Sequence, residues 1–211
     1  MKRATVLLVA LIASAAHAGA PLDEVIPAEK GNRVCFQRIY DAAHLGQHPR
    51  QTTAAITVWM RYEPMHGSPG LLLDFGIGIK RRGEAQPFFA QGDCIWDEQG
   101  NKVVGGRRLI DALNQDAAAV CMMYGRPDVF DALSAQEGGY LMFVPGKERE
   151  TLMLYLDAGL IMVKRADRDQ GIDMKFGAED RVFRLNRVDL KACVAVEEAV
   201  TQPEPGVAPR R

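Results

Sequence analysis

Leu71-Leu72-Leu73-Asp74-Phe75-Gly76-Ile77-Gly78-Ile79-Lys80 divides cleanly by twos. Leu71, Leu73, Phe75, Ile77 and Ile79 fall on one side of an extended backbone, and Leu72, Asp74, Gly76, Gly78 and Lys80 fall on the other. Successive side chains of a strand point to opposite faces, so this stretch reads as a strand with one face turned to a core. A helix would spread both sets around its circumference. The glycine pair Gly76 and Gly78 lacks the G-x-G-x-x-G continuation of a phosphate cradle, and marks instead a bend or a close approach to the backbone.

The pattern repeats on both sides. In Thr52–Tyr62 (TTAAITVWMRY), Ala54, Ile56, Val58, Met60 and Tyr62 share one face, and Thr57, Trp59 and Arg61 the other. Glu63–Gly70 (EPMHGSPG) is a loop by its Pro and Gly content. Thr151–Leu156, Asp157-Ala158-Gly159 and Leu160–Lys164 predict a β-hairpin, with Gly159 supplying the left-handed residue after a type I turn. Further strands are predicted at 33–40, 86–96, 117–124, 139–144 and 181–190, between the turns DEQGN, GRPD, EGG and VPGKE. Short helices are predicted only at 41–48 and 108–115 (RLIDALNQ). Eight or nine short antiparallel strands make an all-β domain, an up-and-down barrel or a sandwich.

The cysteines favour the barrel. The four are Cys35, Cys94, Cys121 and Cys193, with no C-x-x-C spacing that would suggest zinc or thioredoxin-type redox chemistry. Cys35 opens the first predicted strand and Cys193 follows the last, so joining them closes the meander and removes exposed edges. Cys94 and Cys121 flank one excursion on neighbouring strands. Strand order therefore predicts Cys35–Cys193 and Cys94–Cys121. Loop-closure entropy gives the short bridge about 3.5 kcal/mol and the long one about 5 kcal/mol.

Residues 1–18 read as a signal peptide: Lys2 and Arg3, an apolar TVLLVALIASA, and the small-x-small Ala16-His17-Ala18. Cleavage after Ala18 leaves 211 − 18 = 193 residues, enough for one domain with a sizeable core. It removes two of 26 Lys+Arg and none of 27 Asp+Glu, so the remainder carries 24 − 27 = −3. Those charges are dispersed, which argues against a nucleic-acid partner. No later segment is long and apolar enough for a membrane helix. The expected organisation is a flexible segment at 19–32, a β-domain at 33–196 and a disordered Pro-rich tail at 197–211, in a protein of the periplasm or exterior.

Cys35-Phe36-Gln37-Arg38-Ile39-Tyr40-Asp41, running into His44-Leu45, His48-Pro49 and Gln51, resembles the N-terminal signature of a family of small uncharacterised exported proteins of alphaproteobacteria. Glu179-Asp180-Arg181-Val182-Phe183-Arg184-Leu185-Asn186-Arg187, leading to Cys193, is similar to that family's C-terminal end. The resemblance spans most of 33–193. It implies a small disulfide-bonded β-domain and supplies no activity.

Candidate chemistry is sparse. On a helical turn Asp41, His44 and His48 share a face, where they could hold zinc or copper or move protons. Gly46 and Pro49 weaken that helix, and the competing reading is an N-capped corner between strands. If Cys35 faces Cys193 in register, residue 35+k lies opposite 193−k. Asp41 then meets Arg187 and His44 approaches Arg184, in one structural polar cluster with Arg38 and Asp180. Ser68 and Ser134 lie outside any G-x-S-x-G elbow. Asp167, Asp169, Asp173, Glu179 and Asp180 alternate with Lys and Arg in a predicted 165–180 loop and lack a calcium-loop pattern. Met142, Met153 and Met162 fall among core residues, and only Met60, Met65 and His66 have the flavour of a soft-metal cluster. No catalytic residue, metal site or cofactor is therefore assigned. The expected function is an exported, non-enzymatic barrel domain binding a small apolar molecule in its mouth or an envelope protein. The alternatives are an enzyme or metal-binding protein using Asp41, His44 or His48, and a structural or inhibitory envelope protein.

Overall fold

The computed structural model describes residues 25–27, 29–63, 71–97, 118–123, 138–146, 150–156, 159–164 and 167–201. They form ten strands: β1 (Arg33–Ile39), β2 (Thr53–Tyr62), β3 (Leu71–Arg81), β4 (Phe88–Asp97), β5 (Ala118–Met123), β6 (Tyr140–Pro145), β7 (Thr151–Leu156), β8 (Gly159–Lys164), β9 (Asp167–Lys175) and β10 (Val182–Val188). Two short helices accompany them, α1 (Ala42–Gln47) and α2 (Val194–Thr201). The predicted helix at 108–115, Met65, His66, Ser68 and Ser134 lie outside the described residues.

The sheet curls until its two sides meet through the β3–β4 pairing. Antiparallel neighbours run β1–β2–β3–β4–β5–β6–β7–β10 and return to β1. The barrel expected from the cysteines is therefore the fold, and both disulfides form as strand order predicted, Cys35–Cys193 and Cys94–Cys121.

Alternation fills the inside. Ile56, Val58 and Met60 of β2 stand opposite Ile79, Ile77 and Phe75 of β3, and all six are at most 1% exposed. Phe75 reaches Phe143 of β6 edge to face, with ring centroids 5.6 Å apart, a favoured aromatic geometry. Phe36, Leu141, Leu152, Leu154, Phe183 and Leu185 join the same cluster. The interior is a packed core.

Several expectations are corrected. The hairpin predicted over 151–164 does not pair with itself: β7 pairs with β6 and β10, while β8 pairs with β4 and β9. Phe88 and Phe89 of β4 already pair with β3, so β8 takes the edge of β4 that β5 occupies further along. The segment read as a 165–180 loop contains β9, whose polar composition suits its place at the end of the strand order. Residues 25–27 and 29–32 pack against the barrel: Val25 and Ile26 are fully buried, and Gly31 N donates to Tyr62 O at 2.8 Å. The ordered domain also passes residue 196, because α2 runs to Thr201.

The first and last strands meet in a different register. Cys35, Phe36 and Gln37 face Val188, Arg187 and Asn186. Cys193 is not on β10: it ends a 3-10 turn, Leu190–Cys193, that folds the chain back over β1.

Candidate functional site

The Tyr40–Gln51 corner is built around a cap and a stack. Asp41 precedes α1, and its Oδ1 accepts from His44 N at 2.7 Å, the ordinary work of an N-cap. Tyr40, His44 and His48 stack at centroid separations of 4.6 Å and 4.4 Å. His44 Nε2 lies 3.1 Å from Gln51 Oε1, and Gln51 Nε2 donates to Thr53 O at 2.8 Å. Arg82 Nη1 reaches the carbonyls of Leu45, His48 and Gln51 at 3.2–3.4 Å, tying the corner to the β3–β4 turn. Asp41 is thus spent on the backbone and the two imidazoles lie face to face, an arrangement that does not converge them on one ion. Among the described residues no three His, Cys, Asp or Glu side chains gather as metal ligands.

An aspartate does dock this corner onto the closing strand, but it is Asp180, in the 3-10 turn Ala178–Asp180 before β10. Fully buried, its Oδ2 accepts from Thr52 N and Thr52 Oγ1 at 2.8 Å and its Oδ1 from Thr53 N at 2.9 Å. Arg50 Nε to Glu179 Oε1, 2.8 Å, reinforces the contact at the surface.

The expected polar cluster therefore divides. Tyr40 gathers Arg38, whose guanidinium lies 5.2 Å from its ring centroid, together with His44 and the field of Asp180. Burial pushes the Tyr40 phenol above its ordinary value, Arg38 draws it back and Asp180 adds to the rise. Arg184 faces Met153 across β7 and is exposed. Arg187 faces Phe36, stands 5.5 Å from that ring and donates to Val25 O, pinning the N-terminal segment. Asp41 meets neither: the register that would have joined them assumed that Cys193 lies on the strand.

A second site lies on the outer face of β2, β3 and β4. Arg61, Asp74 and Asp93 form one outward row across the three strands, and Trp59, Gly76 and Gln91 form the next. α2 packs over the second row. A Cβ on Gly76 would come within 2.9 Å of Val200 Cγ2, and one on Gly78 within 2.9 Å of Val196 Cγ2. The glycine pair is thus a close approach, and what approaches is a helix. Trp59, Phe89, Val196, Ala199 and the Cys35–Cys193 bridge make a small core between sheet and helix.

Beside the end of α2 a pocket of about 250 Å³ opens, lined by Trp59, Arg61, Asp74, Gln91, Asp93 and Thr201 among others. The Arg61 guanidinium lies 5.6 Å from the Trp59 ring centroid and bonds Asp74 through Nη2. Nearby Glu63 is held below the usual carboxylate range, first by a hydrogen bond from Lys30 and then by the charges of Lys30 and Arg61. Sequence reasoning placed Trp59, Arg61 and Asp74 on outward faces but did not join them. The signal available was the register: once Met60 is set against Phe75, Arg61 must meet Asp74.

Fold and site together define a disulfide-closed antiparallel barrel with a packed interior and a pocket on its outer wall. No protein-family model, curated protein or solved structure matches the chain. Among the described residues no helix is long and apolar enough to cross a membrane.

Proposed function

We propose that this is an exported, non-enzymatic binding domain whose working surface is the outer wall around α2 and whose target is an envelope protein. One contrast carries the reading. Inward positions of the barrel are occupied by Leu, Ile, Phe and Met side chains at 0–5% exposure, whereas the pocket beside α2 opens on the outside. Barrels of about eight strands either fill with side chains or hold one small ligand, and the packed interior favours a partner over an apolar ligand in the mouth. The corner supports a structural role in the same way, because Asp41, His44 and Gln51 are bonded to one another and to backbone. Two disulfides suit an oxidising compartment, consistent with the export signal read in residues 1–18.

The test is site-specific photocrosslinking in the native envelope. A crosslinker at Thr201, on the pocket rim, should give one discrete protein adduct, and one at Asn186, exposed on β10, should not. Adducts of equal yield at both positions, or stoichiometric uptake of an apolar fluorescent probe by the folded protein, would refute the proposal.

A further inference from the structure

Cations and acids are not spread evenly over this molecule. On most of the described surface they stand together: Lys30 with Glu63, Arg33 with Glu197, Arg50 with Glu179, Lys164 with Glu84 and Lys175 with Asp173. Lys80, Arg181, Arg184 and Lys191 are exposed and make no side-chain hydrogen bond or ion pair among the described residues. All four border one wall. Ile39 of β1 faces Ala55 of β2, and Ala55 faces Lys80 of β3. On the other side the β1–β10 register, carried two residues past Gln37 and Asn186, brings Arg184 toward Ile39, with Arg181 and Val182 at the start of that strand. Lys191 lies on the turn that folds back over β1.

Exposed apolar side chains gather on the same wall. Ile39 is 65% exposed and Val182 49%, and Leu190 and Val194 stand out from the turn and the start of α2. Among the described residues the other exposed large apolar side chain is Ile172, on β9. Single exposed apolar residues are ordinary, but several on one face with a charged rim mark a contact surface. Two acids border this face, Asp41 and Asp189, each accepting from a backbone N–H, of His44 and Lys191 respectively. Four unpaired cations against two capping acids leave the wall basic, in a chain with 27 acids to 26 bases.

Shape chooses between partners. The wall is the outside of a barrel and therefore convex, and its apolar tips are set apart by Ala55 and by Gln37, which donates to Thr57 Oγ1. A protein partner needs a close-packed central patch. A bilayer interface takes each apolar tip separately, and Lys and Arg reach its phosphates with their stems along the apolar zone. We infer that the wall from β3 through β2 and β1 to β10 rests on an anionic phospholipid surface. Ile39, Val182, Leu190 and Val194 enter the headgroup region, and Lys80, Arg181, Arg184 and Lys191 meet lipid phosphates. This goes beyond the proposed function and does not depend on it, because lipid binding is read without a partner protein.

The test is cosedimentation of the protein, recovered from the envelope after export, with vesicles of equimolar phosphatidylglycerol and phosphatidylcholine. Salt is held at roughly 0.1 M, where screening sets in at about 10 Å. Saturable binding is expected, about tenfold or more above that to pure phosphatidylcholine. Each basic residue near an anionic leaflet contributes about fivefold, so the reversal Arg184→Glu should weaken binding about twentyfold. Ile39→Ser should weaken it about threefold or more by removing an inserted tip. Lys175→Glu, the same reversal on β9, should leave it unchanged. No binding, equal binding to both lipids, an equal loss in Lys175→Glu, or full binding by Ile39→Ser would overturn the inference. Poly-L-glutamate that binds saturably where vesicles do not, and is lost in Arg184→Glu, would replace the membrane by an acidic protein.

Discussion

Phe75 and Ile77 look into the barrel, while Gly76 and Gly78, their chain neighbours, look out at α2. The inner surface is covered by the opposite wall of the same sheet, so each large side chain meets others from several strands, as Phe75 meets Phe143. The outer surface is covered by one helix of eight residues, too short to hold its shape alone in water. It is seated on two glycines and anchored at its start by Cys193, bonded to Cys35 of β1. Burial spread over many strands holds the interior; close approach and one covalent tether hold the outer layer. A surface held in the second way can carry a pocket without asking the core to change.

Three measurements press on that contrast. Phe75→Ala removes a fully buried ring and should cost about 3–5 kcal/mol of unfolding free energy by chemical denaturation, with the indole environment under α2 lost only as the whole domain unfolds. Gly78→Ala adds a methyl group against Val196 and should cost about 1–3 kcal/mol as overpacking, with a change in indole fluorescence before global unfolding. If it costs as much as Phe75→Ala and melts in the same transition, the two layers are one cooperative unit and the contrast fails. The smallest effect is expected at Tyr40, which packs partly buried against the inner core. Its phenol titrates above the ordinary 10.0, chiefly through burial, with Arg38 opposing. A raised folded-state value favours the neutral form, so the contribution is complete below about pH 10. It declines as pH rises through the folded value, because the unfolded chain ionises first. Urea midpoints at neutral and strongly alkaline pH should converge in Tyr40→Phe relative to the parent; an unchanged gap would place the alkaline loss elsewhere.

The inner layer was legible in the sequence because alternation reports burial residue by residue, and β1 to β7 stand close to where the pattern put them. Both disulfides were legible for a related reason: strand order sets Cys94 opposite Cys121 and brings the last strand beside β1, where the turn Leu190–Cys193 carries Cys193 back to Cys35. What lay hidden depended on contacts distant in the chain. Asp157-Ala158-Gly159 has the chemistry of a hairpin turn, yet turn chemistry does not choose partners, and β7 and β8 found better ones in β10 and β4. β9 (DRDQGIDMK) has the charges of a solvated loop because it is the terminal strand of the row. The second half of α2 reads as the start of a tail from residue 197 because Glu197, Glu198 and Thr201 outweigh Val196 and Ala199, the two residues the helix buries. Asp41 and Asp180 show the limit at the corner. Sequence could say that an acid docks it, but only a fold that brings Thr52 and Thr53 to Asp180 says which acid.

The Cys35–Cys193 bond spans 158 positions of the chain, and it makes that whole stretch a covalent circle. A protease that cuts once inside the circle opens it without releasing a fragment. The exposed turn at Arg82 and Gly83 is one such place: after a cut there, β1–β3 and β4–β10 remain attached through the cystine beneath α2 and through the strand pairings on either side. The seam of the barrel is thus also its insurance against nicking.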